Sequence, residues 1–245
     1  MDKTFCVIIP ARYKSSRFNG KPLADIKGIP MIVRTYNQCA KVCDNDLIWV
    51  ATDDERIKRT CEKNDIQVLM TSKDCLTGTD RLAECSKLLD FDIYINVQGD
   101  EPVFNPDDLR RIIESSQTFP DFILNGFCKI NSQEEYESLS TPKVVMREDN
   151  RLLYMTRAKV PSSKEGKFNF GWRQVCIYSF PKKALLKFAK HSQKTVLEKQ
   201  EDIEILRFLE IGEEIKMIEM SSDSVPVDHP EDILRAEVAI KDRNL

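Results

Sequence analysis

The run Phe5-Cys6-Val7-Ile8-Ile9 is apolar and short, which suits a buried strand, and Pro10 ends it. The next residues form a loop in which Arg12, Lys14, Arg17 and Lys21 stand among Ser15, Ser16 and Gly20. Cations crowded at the end of a buried strand repel one another unless an anion sits among them. A polyphosphate is the ligand whose charge and size match. Ligands of open α/β sheets bind at the carboxyl ends of strands, where this loop begins. A solvated surface loop is the competing reading.

Neither common phosphate-loop signature is present. No two of the glycines are spaced for G-x-G-x-x-G, and Gly20-Lys21 is followed by Pro22 instead of Ser or Thr. Dinucleotide oxidoreductases and ordinary P-loop ATPases are thereby disfavoured.

Strand-like and helix-like segments alternate through the first half. Strands are expected at 5–9, 47–51, 67–70 and 93–97, and helices at 30–42, 55–63, 81–89 and from 105 onward. That alternation predicts a mostly parallel, Rossmann-like α/β sheet flanked by helices. Longer strands follow at 123–130, 143–147, 152–156 and 175–180, then helices at 182–190 and 196–210. A last strand at 215–219 precedes a helix opened by His229-Pro230-Glu231-Asp232. The expected organisation is one domain over 1–245, with a smaller α+β lobe at about 130–210.

A net charge of −3 gives no basic field to hold nucleic acid or an anionic membrane. No apolar run is long enough to span a bilayer, and the first residues lack a signal-peptide pattern. A soluble, cytoplasmic chain is expected. The eight cysteines form no C-x-x-C pair and mostly sit in apolar stretches, as structural thiols do. With only His191 and His229, a His-rich metal site or His-based acyl transfer is improbable.

Two carboxylates stand out. Asp100 follows an apolar strand through Gln98-Gly99, which aims it at the sheet edge bearing the cationic loop. Its alternative role is a turn cap, and Glu101 and Asp107 read as surface caps. Asp228 lies in Val225-Pro226-Val227-Asp228, just ahead of a helix, and is either a helix cap or a partner of Asp100 around one Mg²⁺. The turn Thr77-Gly78-Thr79-Asp80-Arg81 lets backbone approach a planar base, or simply caps its helix through Asp80.

Together the cationic loop, Ala51-Thr52-Asp53, the 77–81 turn, Val97-Gln98-Gly99-Asp100-Glu101-Pro102 and Val227-Asp228-His229-Pro230-Glu231-Asp232 occur in a family order. The chain resembles the 3-deoxy-manno-octulosonate cytidylyltransferases, or CMP-Kdo synthetases, over nearly its whole length. The resemblance implies a nucleotide-diphospho-sugar transferase fold. It also implies transfer of CMP from CTP to the anomeric hydroxyl of a 2-keto-3-deoxy sugar acid, with release of pyrophosphate, for lipopolysaccharide or capsule. Mg²⁺ dependence and a homodimer formed by the smaller lobe are further implications.

Carried over by position, Arg12, Arg17 and Lys21 hold the triphosphate, with Arg12, Lys21 and Asp100 catalytic. Asp100 and Asp228 hold the metal, while Pro10, Ala11, Thr77, Gly78, Thr79 and Arg81 line the nucleotide. Gln98, Arg157, Arg173, Gln174, Tyr178 and Glu198 fall among the acceptor contacts. The chain departs from the family at Gln174, where His is common, at Cys176, where Gly is common, at Lys159, and at Asn19. These departures leave the acceptor open: an amino-substituted or differently configured octulosonate, a nonulosonate or a phosphonate are alternatives. A non-catalytic nucleotide-binding protein is the rival of a different class.

Overall fold

The computed structural model describes residues 2–243. In chain order the first half contains β1 (Phe5–Ala11), a small hairpin of β2 (Asp25–Ile26) and β3 (Ile29–Pro30), α1 (Met31–Cys39), β4 (Ile48–Thr52) and α2 (Glu55–Glu62). It continues with β5 (Gln67–Met70), α3 (Gly78–Leu88), β6 (Ile93–Val97) and α4 (Pro106–Thr118). The second half contains β7 (Ile123–Lys129), α5 (Gln133–Glu137), β8 (Lys143–Met146), β9 (Leu152–Thr156) and β10 (Trp172–Pro181). It closes with α6 (Lys182–Phe188), α7 (Val196–Glu201), α8 (Ile205–Glu210), β11 (Ile215–Glu219) and α9 (Asp232–Arg243).

The main sheet runs β11-β7-β10-β6-β1-β4-β5. β1 is parallel to both β4 and β6, β4 to β5, and β7 to β11, whereas β10 is antiparallel to its neighbours β6 and β7. Side chains of one strand alternate between the two faces. Val7 and Ile9 accordingly pack with Val50, Ile95 and Leu109, while Cys6 and Ile8 pack with Leu82, Tyr94 and Phe180 on the other side. From β1 the chain moves outward to β4 and β5, then returns to place β6 on β1's other side. The crevice of such a sheet opens where that order reverses, at the carboxyl ends of β1 and β6.

Several expected boundaries shift for local reasons. The helix expected from 81 begins at Gly78, because the Thr77 hydroxyl accepts the Asp80 N–H at 3.2 Å and caps it. The single helix expected over 196–210 is two, α7 and α8, broken at Asp202 in the left-handed conformation (φ 52°). Within 130–210, β8 and β9 form an antiparallel ribbon that continues from the start of β10, while the rest of β10 lies inside the main sheet. No described helix is long and apolar enough to cross a membrane. All eight cysteines are free thiols, six of them buried.

Candidate active site

The cationic loop leaves β1 at Ala11 and is closed by a hydrogen bond from the Gly20 N–H to the Tyr13 carbonyl at 2.8 Å. Gly20 has φ 74°, a conformation that glycine adopts without the Cβ penalty. The Arg56 guanidinium caps the Tyr13 ring 3.2 Å from its centroid, fixing the loop's outer edge. Pro22 is buried and carries Lys21 back toward the end of β6.

Asp100 stands on the turn after β6. Gly99 is required there: a Cβ at this position would lie 2.7 Å from the Pro10 carbonyl oxygen, so only glycine lets β1 and the turn approach. The Thr35 hydroxyl of α1 donates to the Gly99 carbonyl at 3.2 Å and pins the turn from behind. The Val227 N–H donates to the Asp100 carbonyl at 2.9 Å, tying the segment that carries Asp228 to the one that carries Asp100. One Asp232 oxygen accepts the N–H groups of Asp228 and His229, both at 2.9 Å, and holds that segment still.

The two distant aspartates meet around a single cation. Lys21 Nζ lies 2.7 Å from Asp100 Oδ2 and 3.5 Å from Asp228 Oδ1, and Arg17 Nη2 lies 3.1 Å from the same Asp228 oxygen. Lys21 is well covered, its side chain only 13% exposed. Arg12 is exposed and lines the same cleft, and among the described residues it pairs with no carboxylate. It is therefore free to meet an incoming anion.

These groups stand at one wall of a cleft of about 1040 Å³. Pro10, Ala11, Thr77, Gly78 and Arg81 line it on the β1 side, and Arg157, Arg173, Gln174 and Tyr178 line it on the β10 side. Gln98 lies between: its Nε2 is 3.2 Å from where a Gly78 Cβ would stand, so its amide abuts the 77–81 turn. On β10, Gln174 Nε2 donates to the Tyr178 hydroxyl at 3.1 Å and to Asn125 Oδ1 at 2.9 Å. Asn125 Nδ2 in turn donates to the Val175 and Ile177 carbonyls, bracing the β10 irregularity that turns these side chains toward the cleft. Burial pushes the Tyr178 phenol well above its ordinary pKa, with Cys176 adding to it.

Residues 6–215 match a family model described as Cytidylyltransferase. The chain belongs to this cytidylyltransferase family. It is 39% identical to a 3-deoxy-manno-octulosonate cytidylyltransferase of Desulfatibacillum aliphaticivorans, over 97% of this chain and 98% of the relative. It is 37% identical to the mitochondrial 3-deoxy-manno-octulosonate cytidylyltransferase of Arabidopsis thaliana, over 97% and 83% respectively. An 8-amino-3,8-dideoxy-manno-octulosonate cytidylyltransferase of Shewanella frigidimarina is 38% identical, over 96% and 97%. Among solved structures, CMP:2-keto-3-deoxy-manno-octonic acid synthetase complexed with CTP superposes with a TM-score of 0.90 at 32% identity, covering 99% of this chain and 100% of that one.

Two residues expected at the site lie behind the cleft of this cytidylyltransferase. Thr79 is buried in the first turn of α3, and its N–H donates to Glu204 Oε2 at 2.7 Å. Glu198 is completely buried; Arg207 Nε and Nη2 each reach one of its oxygens at 2.6 Å, leaving the carboxylate committed to the fold. Arg81 and Arg157 line the cleft but are largely spent on structure. Arg81 donates to Thr71 and Ser72, and Arg157 to the carbonyls of Glu201, Leu139 and Asp202. Arg173 pairs with Glu135 at 2.5 Å.

Two acidic residues and a buried arginine escaped the sequence reading. Glu101, expected as a surface cap, is 5% exposed and lines the cleft. Burial, then the charge of Asp100, pushes its pKa up to about 8, against the pull of Arg173. Its signal was position: it enters the apolar run Pro102-Val103-Phe104, all buried. Arg207 was legible as a lone cation in Ile205-Leu206-Arg207-Phe208. Its Nη1 donates to Asp80 Oδ1 at 2.9 Å, and Asp80 Oδ2 accepts the Thr77 hydroxyl at 2.6 Å, so α8 braces the 77–81 turn from below. Glu204, at the break between α7 and α8, secures the same turn through Thr79.

Proposed function

We propose that this chain transfers CMP from CTP to the anomeric hydroxyl of a 3-deoxy-manno-octulosonate-type sugar acid. The observation that carries the reading is the Lys21 ammonium held between Asp100 and Asp228 beside Arg12 and Arg17, at the mouth of a cleft large enough for two substrates. Similarity to named octulosonate cytidylyltransferases and to a CTP-bound synthetase supports the substrate pair.

The acceptor oxygen bonds to the α-phosphorus, the α–β bridging bond breaks, pyrophosphate leaves, and the hydroxyl proton is released. Such transfers depend on positioning and charge stabilisation more than on covalent help from the protein. Arg12, Arg17 and Lys21 bind the triphosphate oxygens and neutralise the charge that builds on pyrophosphate. The 77–81 turn and the Pro10-Ala11 backbone seat the base, and Gln98 separates base from acceptor.

Asp100 and Asp228 suit Mg²⁺, which takes one or two carboxylates plus phosphate oxygens and waters. Among the described residues no cluster of three His, Cys, Asp or Glu forms an all-protein metal cage. When bound, Mg²⁺ would neutralise phosphate charge and polarise the α-phosphate. Lys21 lies between the two carboxylates and is long enough to reach the phosphates.

A second acceptor, the 8-amino-substituted acid, is favoured by Glu134 on the cleft wall and by the Shewanella relative. We further infer a homodimer formed through the 130–210 segment, where Leu139, Leu153 and Val196 are exposed, and a cytoplasmic location, where CTP is supplied. Sedimentation measures the former. Pyrophosphate release with each of four nucleoside triphosphates and a panel of Kdo, 8-amino-Kdo, a nonulosonate and a phosphonate tests the activity. No CTP- and Mg²⁺-dependent release with any of them refutes it.

A further inference from the structure

Glu101 is built unlike its neighbours. Asp100 and Asp228 face Lys21 or Arg17, and Glu135 faces Arg173. Among the described residues Glu101 Oε2 is the one carboxylate oxygen of the cleft lining that is buried with no hydrogen-bond partner. An unsatisfied buried carboxylate oxygen destabilises a fold, and such groups persist where a ligand completes them. A hydroxyl, which can donate or accept, satisfies that oxygen whether the carboxyl is ionised or holds its proton.

The triphosphate is drawn to Arg12, Arg17 and Lys21, and among the described residues Glu101 pairs with none of these cations. The base is expected at the 77–81 turn, across β1 from this point. Asp100 and Asp228 act on the Glu101 carboxyl, and so, toward β10, do Arg173 and, through a hydrogen bond, Ser224; Glu101 acts in turn on the Cys176 thiol. β10 flanks β6 on the side opposite β1. Glu101 thus belongs to the half of the cleft lined by Arg173, Gln174 and Tyr178.

We propose that Glu101 is an acceptor-binding residue, whose buried Oε2 exchanges a hydrogen bond with a hydroxyl of the sugar acid. This rests on the proposed cytidylyltransferase reading. A polyhydroxy acid offers complementary chemistry here, with hydroxyls for Glu101 and a carboxylate for the guanidinium of Arg173. A water held by the metal is the other O–H donor that could reach this oxygen, and the test separates the two.

Glu101→Ala and the isosteric Glu101→Gln are compared with the wild-type chain. Measured are the acceptor KM with Kdo, the CTP Kd by calorimetry without acceptor, the Mg²⁺ half-saturation, and thermal melting. In the alanine variant the acceptor KM should rise roughly tenfold to hundredfold, the loss of one hydrogen bond to a buried carboxyl. The glutamine variant, which keeps a carbonyl acceptor, should fall between. CTP Kd and Mg²⁺ half-saturation should stay put, and the melting temperature should hold or rise because an unpaired buried carboxyl is gone. An unchanged acceptor KM, or a shift confined to Mg²⁺ half-saturation or CTP Kd, would overturn the assignment, as would a lowered melting temperature in both variants. A wild-type chain inactive on every sugar acid defeats the functional reading as well; an active wild type with kinetically identical variants defeats only Glu101's role.

Discussion

Replacing Lys21 by methionine keeps the length of the side chain and removes its charge. That ammonium lies 2.7 Å from Asp100 and 3.5 Å from Asp228, with the two carboxylates about a third exposed (30% and 33%). Coulomb's law puts a unit pair at 2.7 Å between about 1.5 kcal/mol in water and about 6 kcal/mol at an effective dielectric of about 20. Partial exposure favours the lower end, so about 1.5–3 kcal/mol, the range for a charge-assisted hydrogen bond, is the working figure. A divalent cation entering between these carboxylates must first displace the ammonium. Without it, Mg²⁺ should bind the nucleotide-free protein roughly tenfold to hundredfold more tightly. Turnover should move the opposite way, falling about 10²–10³-fold through loss of a charge aimed at the leaving pyrophosphate. Calorimetric Mg²⁺ titration of the nucleotide-free protein and a pyrophosphate-release assay read the two quantities separately. Weaker Mg²⁺ binding in Lys21→Met, or turnover within about threefold of wild type, would refute the view that Lys21 guards the metal carboxylates and then serves the phosphates.

Asp100→Asn should cut turnover at least about 10²-fold across a Mg²⁺ titration while the chain stays folded, its melting temperature lowered only by the weakened Lys21 contact; near-normal activity removes its metal role. Arg207→Met strands Glu198 as an uncompensated carboxylate in the interior and takes a partner from the partly exposed Asp80, so urea unfolding should show a loss of about 3–5 kcal/mol. The double variant Arg207→Met with Glu198→Leu should lose less, because it removes the stranded charge together with its partner. Glu201 is pushed up by burial but pulled down further by the Arg157 N–H and the Thr156 and Tyr154 hydroxyls, so its folded pKa lies below the ordinary 4.5. A depressed folded pKa stabilises above the unfolded value, and that stabilisation fades as pH falls through the folded pKa. Glu201→Gln should therefore be less stable than wild type at pH 7, with the gap closing below about pH 4.5; a gap independent of pH contradicts the charge's role.

Much of the architecture was legible because it is local. Strands at 67–70, 93–97, 152–156 and 215–219 are found at the residues expected, since apolar runs bounded by turn residues are short-range signals. Asp54 and Asn105 cap their helices through their own side chains. Boundaries went astray where a side chain's partner mattered more than its type. The Thr77 hydroxyl advances α3 by a turn, and left-handed Asp202 splits the 196–210 helix, although neither residue type compels those roles.

The chemistry of the site was also written in residue types: cations after β1, an aspartate after β6, another ahead of α9, and a glycine where two backbones nearly touch. Composition and spacing were enough to call for an anion and to assign the fold class. Which carboxylates meet Lys21 was decided only when the sheet reversed its strand order and brought the ends of β1 and β6 together, with Val227 bonded across to Asp100. The same packing sealed Glu101 under the cleft wall, turned Glu198 inward to Arg207, and committed Arg157 to three carbonyls. Hydrogen bonding and side-chain period act over a few residues and can be read along a chain. Burial and charge pairing depend on distance in space, which the chain acquires only by folding.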